Sequence, residues 1–103
     1  MASIKIRAKA KNGVTTVKTL MSHPMESGLR KDSKTGKKIP EHTITEVTAE
    51  HNGSLVMTAN WSGGISKNPY LSFKFKGGAA GDKIKISWVD NKGEGDSLEA
   101  AIK

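Results

Sequence analysis

Apolar and polar residues alternate with a period of two along most of this chain. Ile4, Ile6 and Ala8 alternate with Lys5, Arg7 and Lys9. Leu55, Met57, Ala59 and Trp61 share one face of another run, and Leu71, Phe73 and Phe75 lie opposite Ser72, Lys74 and Lys76. Ile84, Ile86 and Trp88 alternate with Lys83, Lys85 and Ser87, and Leu98, Ala100 and Ile102 form a last run. Successive side chains of a strand point to opposite faces, so each run reads as a strand with one dry and one wet face. Val14 to Met21 and Thr43 to His51 alternate less cleanly but are rich in Val, Ile and Thr, which suit strands.

Turn residues separate these runs. Asn12-Gly13 sits between the first two, and Asn52-Gly53 sits before the Leu55 run. Asn-Gly tolerates the positive φ angles of a type I′ turn, so the second pair predicts a hairpin. Gly63-Gly64 and Asn68-Pro69 bracket a loop, Gly77 to Asp82 precedes the Ile84 run, and Asp90-Asn91-Lys92-Gly93 predicts another hairpin. Seven short strands and no helix predict an all-β chain, an immunoglobulin-like antiparallel β-sandwich of about seven strands in a single domain, residues 1–103. Trp61, Tyr70, Phe73, Phe75 and Trp88 all fall in the second half, which is expected to supply the bulkiest core material. The segment Ser22–Pro40 breaks the pattern: a nineteen-residue loop is unusual in a compact domain and often functional.

Composition narrows the chemistry. The absence of cysteine excludes a disulfide framework, a zinc-thiolate site and a cysteine nucleophile. No Gly-x-Ser-x-Gly elbow occurs, and Lys34-Thr35-Gly36 has no Ser-x-x-Lys beside it, so nucleophilic catalysis finds no support and the chain reads as a non-enzyme. Gly36-Lys37-Lys38 lacks the remaining residues of a phosphate loop, and no cofactor is implied. Met21, His23 and Met25 offer soft donors that suit copper, although such residues more often serve packing and hydrogen bonding. The net charge is +7, which attracts acidic partners or small anions. Arg30, Lys31, Lys34, Lys37 and Lys38 crowd together with only Asp32 opposing, a pattern that could neutralise phosphates. The aromatics are expected to be buried on apolar strand faces, leaving no stacking platform, so nucleic acid is the weaker reading. No run approaches membrane-spanning length and no secretory signal is visible, which by itself reads as a soluble cytoplasmic protein.

Three stretches carry a resemblance to a known family. Met21-Ser22-His23-Pro24-Met25-Glu26-Ser27-Gly28-Leu29-Arg30-Lys31-Asp32, followed by Gly36-Lys37-Lys38-Ile39-Pro40, resembles the signature loop of SoxZ. Ser66-Lys67-Asn68-Pro69-Tyr70-Leu71-Ser72-Phe73 is similar to a second family stretch, and Ile86-Ser87-Trp88-Val89-Asp90-Asn91-Lys92-Gly93 to a third. The matches come in family order and span most of the chain. The resemblance implies a non-catalytic subunit of the SoxYZ carrier of thiosulfate oxidation. Its partner SoxY would bear the sulfur on a C-terminal cysteine arm, forming a heterodimer open to higher assembly, and other Sox enzymes would dock transiently. It also implies a periplasmic location reached by co-export with a signal-bearing partner, in place of the cytoplasmic reading. Neither nucleic acid nor membrane is expected as a partner. His23, Met25, Arg30, Asn68, Pro69 and Tyr70 are the candidate partner-binding residues.

Overall fold

The computed structural model describes residues 3–26, 28–61, 65 and 67–103. Among them lie seven strands and no helix: β1 (Ile4–Lys11), β2 (Val14–Met21), β3 (Ile44–His51), β4 (Ser54–Asn60), β5 (Tyr70–Lys76), β6 (Lys83–Asp90) and β7 (Gly95–Ala101). All pairings are antiparallel. They make one sheet in the order β1-β2-β5 and another in the order β4-β3-β6-β7. The inner faces of the two sheets share one core, giving the expected immunoglobulin-like sandwich. The two Asn-Gly hairpins have left-handed φ at both central residues, 53° and 76° at Asn12-Gly13 and 49° and 87° at Asn52-Gly53, the type I′ geometry that matches strand twist. The expected Gly63-Gly64 turn lies outside the described residues.

The core differs from expectation in its materials. Its fully buried side chains include Val17, Met21, Ile44, Val47, Ile84, Ile86 and Ile102, drawn from both halves of the chain. Only Trp88 among the aromatics is buried; Trp61, Phe73 and Phe75 are half-buried, and Tyr70 is 59% exposed. Tyr70 sits on the wet side of the β5 alternation, so its ring faces outward. Strand β2 alternates poorly in hydropathy because two threonines occupy core positions. The Thr15 hydroxyl donates to the Gly77 carbonyl (2.8 Å) and the Thr19 hydroxyl to the Lys5 carbonyl (3.0 Å). A buried hydroxyl costs little once it is bonded in this way.

Two bulges correct the simple reading of β3 and β4. Ala49 pairs with Met57 but Glu50 pairs with Leu55, so Val56 is an extra residue. One extra residue reverses the face of everything beyond it. Leu55 therefore leaves the face of Met57 and Ala59 and is 61% exposed. A second irregularity, between Ile44 and Glu46, lets Ile44 and Val47 both face inward although they are three residues apart.

The two sides of the sandwich are closed unequally. Beside β1 and β7, the Ala10 amide donates to the Lys103 carbonyl (2.9 Å) and the Lys103 amide to the Ala8 carbonyl (3.0 Å). The Ser3 amide and hydroxyl both donate to Asp96 Oδ2, at 2.8 and 2.7 Å. Opposite, β4 and β5 are the outer strands of different sheets with no ladder between them. Their inward side chains Met57, Ala59, Leu71, Phe73 and Phe75 are only half-buried.

Gly78 tests the close packing after β5. It has φ +83°, and a Cβ there would stand 2.1 Å from Thr15 Oγ1. Gly78→Ala should lower stability by about 2–4 kcal/mol, combining left-handed strain with loss of the buried threonine bond. Gly81→Ala, at φ +94° in open space, should cost only about 1–2 kcal/mol. Urea unfolding of the two variants side by side checks this.

Candidate functional site

The irregular segment after β2 is an ordered arm. Glu26 and His42 exchange amide-to-carbonyl hydrogen bonds, both 2.8 Å. Further out, the Ile39 amide donates to the Arg30 carbonyl and the Asp32 amide to the Lys37 carbonyl, each at 2.8 Å. Lys31 and Lys38 form an antiparallel bridge, and the Gly36 amide donates to the Asp32 carbonyl at the tip. The expected loop is therefore a two-stranded ribbon whose side chains carry no clean alternation, because neither of its faces is fully buried. An eight-residue strand spans about 27 Å. The chain measures 53 × 21 × 20 Å, so its long axis is about twice the length of one such strand.

One buried carboxylate fastens the base of this arm. Asp90 ends β6, and its side chain is fully shielded from solvent. Its Oδ1 accepts the Lys92 and Glu94 amides at 3.0 and 2.9 Å, which shapes the turn into β7. Its Oδ2 accepts from Nε2 of His23 at 3.1 Å and Nε2 of His42 at 2.8 Å, one from each root of the arm. The adjacent Asn91 adds three bonds: its Oδ1 accepts the Thr43 amide, its Nδ2 donates to the Glu41 carbonyl, and its amide donates to the Thr43 carbonyl. The His23 ring also stands edge-on to His42 and Trp88, with centroids 4.5 and 5.1 Å away. Burial pushes the Asp90 pKa up, but the four hydrogen bonds outweigh it and hold the pKa at about 2.

The three side chains place one ligand atom each within 4.8 Å of one another, close enough to be weighed as a metal centre. The proton arrangement argues against it. The Met25 amide donates to His23 Nδ1 (3.0 Å), so in the neutral ring that nitrogen is the acceptor and Nε2 carries the hydrogen facing Asp90. A metal-bound imidazole instead donates from its second nitrogen. The copper set suggested by the sequence is committed elsewhere too: Met25 Sδ accepts the Ile44 amide at 3.2 Å, and Met21 is fully buried in the core. Held by these bonds, Met25 adopts a left-handed φ of 48°.

The six candidate residues divide by exposure. His23, Met25 and Pro69 are buried at the base of the arm, where they support it from beneath. Arg30, Asn68 and Tyr70 are exposed. Arg30 grips Glu26, four residues earlier in the arm, with Nη2 to Oε1 at 2.6 Å. Asn68, at φ 51°, ties the β4–β5 connection to the arm: its Oδ1 accepts the His23 amide and its amide donates to the His23 carbonyl. Asp90, His42 and Asn91 carry the arm but were not among the candidates. The available signal was an Asp-Asn pair opening a turn directly after an apolar strand.

Because Asp90 has a folded pKa below its ordinary value of 3.8, its contribution to stability is present above about pH 4 and is lost as the pH falls toward about 2. Asp90→Ala should cost about 3 kcal/mol or more by leaving buried donors unpaired. It should also abolish hydrogen-exchange protection of the Glu26 and His42 amides. Asp90→Asn should flatten the acid limb of the stability curve between pH 4 and pH 2, measured by chemical denaturation at each pH.

A search of curated proteins gives no match to the chain. Residues 4–101, spanning both sheets and the whole arm, match the family model described as sulphur oxidation protein SoxZ, and the chain therefore belongs to the SoxZ family of sulfur oxidation.

Proposed function

We propose that this chain is the non-catalytic half of a SoxYZ carrier and that SoxY covers its open β4–β5 edge. The carrying observation is the row of half-buried apolar side chains there, Met57, Ala59, Leu71, Phe73 and Phe75. At the opposite edge the hydrogen bonds of Lys103 to Ala8 and Ala10 and of Ser3 to Asp96 tie the two sheets together, so a partner gains more by covering β4 and β5. The chain has no thiol, so the sulfur is carried by the partner's cysteine arm. The arm between Glu26 and His42, with Arg30 on it and Asn68 and Tyr70 near its base, extends the surface to which other Sox enzymes dock. The working location is the periplasm, reached together with SoxY.

Co-expression with SoxY from the same organism should give a one-to-one complex, with sulfur adducts on the SoxY cysteine by intact mass. Hydrogen exchange should slow in β4 and β5 on complex formation. Absence of a complex would overturn the pairing, and protection confined to β1 and β7 would overturn the assigned edge.

Arg30→Ala and Tyr70→Ala test the docking surface. The Arg30 end of its pair with Glu26 is open to solvent, so its loss should leave the urea unfolding midpoint nearly unchanged. Both variants should pair normally with SoxY yet slow sulfur-oxidation turnover in the reconstituted system by about tenfold. Unchanged turnover would remove these residues from docking.

A further inference from the structure

One face of the sandwich is purely cationic. On the outer face of β1-β2-β5 lie Lys5, Arg7, Lys9 and Lys11 of β1, Lys18 of β2, and Lys74 and Lys76 of β5. All seven are exposed, and the three strands contain no acidic residue. The register places Arg7 opposite Lys18, with Lys9 and Lys74 flanking Thr16 on either side. Among the described residues none of the seven joins an ion pair. The outer positions of the other sheet mix both signs, with Glu46, Glu50 and Glu99 beside Lys83 and Lys85. Like charges on neighbouring strands repel one another, so this face has a stability cost that an acidic ligand would relieve.

One end of the cationic face is apolar. Leu20 pairs across the strands with Tyr70, and they are 39% and 59% exposed. A shallow depression runs from these two side chains to Lys5, Arg7 and Lys18. From this combination we infer that the outer face of β1-β2-β5 is a docking surface for an acidic protein segment carrying an apolar side chain. The lysines steer the segment and set its salt dependence, and the Leu20–Tyr70 pair receives the apolar anchor. Tyr70 is the one aromatic side chain directed outward on this sheet, which gives nucleic acid no successive stacking positions. The apolar end is two side chains wide, too small to enter a bilayer as an amphipathic surface does.

The size of the face fits brief contact. Three strands of eight, eight and seven residues present about 400 Å². That lies at the small end of protein interfaces, in the range of transient encounters. The inference goes beyond the pairing proposed above, since it uses the outward side chains of a sheet whose inward side chains meet SoxY only at β5.

Two synthetic peptides test it on the full chain: polyglutamate, and polyglutamate interrupted by one leucine. Both should bind at low salt, the leucine peptide more tightly, with amide shifts confined to β1, β2 and β5 by NMR. Reversal of Lys5, Arg7, Lys9 and Lys18 to Glu should weaken both peptides by at least about tenfold, while Lys83→Glu with Lys85→Glu should change them less than about twofold. Tyr70→Ala should erase the advantage of the leucine peptide and leave polyglutamate unaffected. A fluorescent single-stranded oligonucleotide or phosphatidylglycerol vesicles binding more tightly than the leucine peptide would overturn the protein assignment. Equal losses from the two lysine sets would overturn the site. SoxY pairing of the four-residue variant, measured in parallel, separates failure of this inference from failure of the pairing.

Discussion

The Asp90 carboxylate holds three parts of the molecule in one arrangement. Its two oxygens take four donors, from both roots of the arm and from the turn into β7. A buried anion is costly unless it is fully hydrogen-bonded, and here it is. The arm has no hydrophobic core of its own, so its position is set at its base. Removing the anion would leave the His23 and His42 rings and two turn amides without their acceptor, with His23 buried. The same arrangement fixes which His23 nitrogen bears the hydrogen, and so turns a cluster that resembles a metal site into a structural clasp.

Core composition has a functional consequence. The fully buried positions are aliphatic residues, methionine and two threonines, while Phe73, Phe75 and Trp61 remain half-covered at or near the open edge. A sandwich that kept its large rings at the centre would have little apolar surface left to offer. This one ties β1 to Lys103, just beyond β7, with two backbone bonds and leaves its rings near β5 and β4. The isolated chain and a paired subunit thus call for different amounts of coverage on the same edge.

Charge and apolar surface are separated in space. The open edge presents apolar area, whereas the outer face of β1-β2-β5 presents positive charge with one small apolar end. Apolar burial favours persistence, and charge favours rapid, salt-sensitive encounter. The carrier role proposed above, with one lasting partner and several transient ones, would use both. The family assignment gives this division a setting in sulfur oxidation.

The period-two pattern and the turn dipeptides were enough to determine seven strands, the type I′ hairpin at Asn52-Gly53 and the all-β class, because strand alternation and Asn-Gly conformation are local properties. Three ordered stretches were enough to point to the family. The sequence also marked Ser22–Pro40 as unusual, but not as a paired ribbon, since its partners lie across the arm and its amide bonds leave no hydropathy signal. Tertiary structure alone decided the face of Leu55, because a single bulge at Val56 reverses parity. It alone brought His23, His42 and Asp90 together from positions far apart in the chain, and buried His23 and Met25 while exposing Arg30 and Tyr70. It alone gathered seven scattered cations onto one face, because β5 joins β2 and not its neighbour in sequence, β4. Each of these depends on strand order and register, which long-range packing sets and local sequence does not encode.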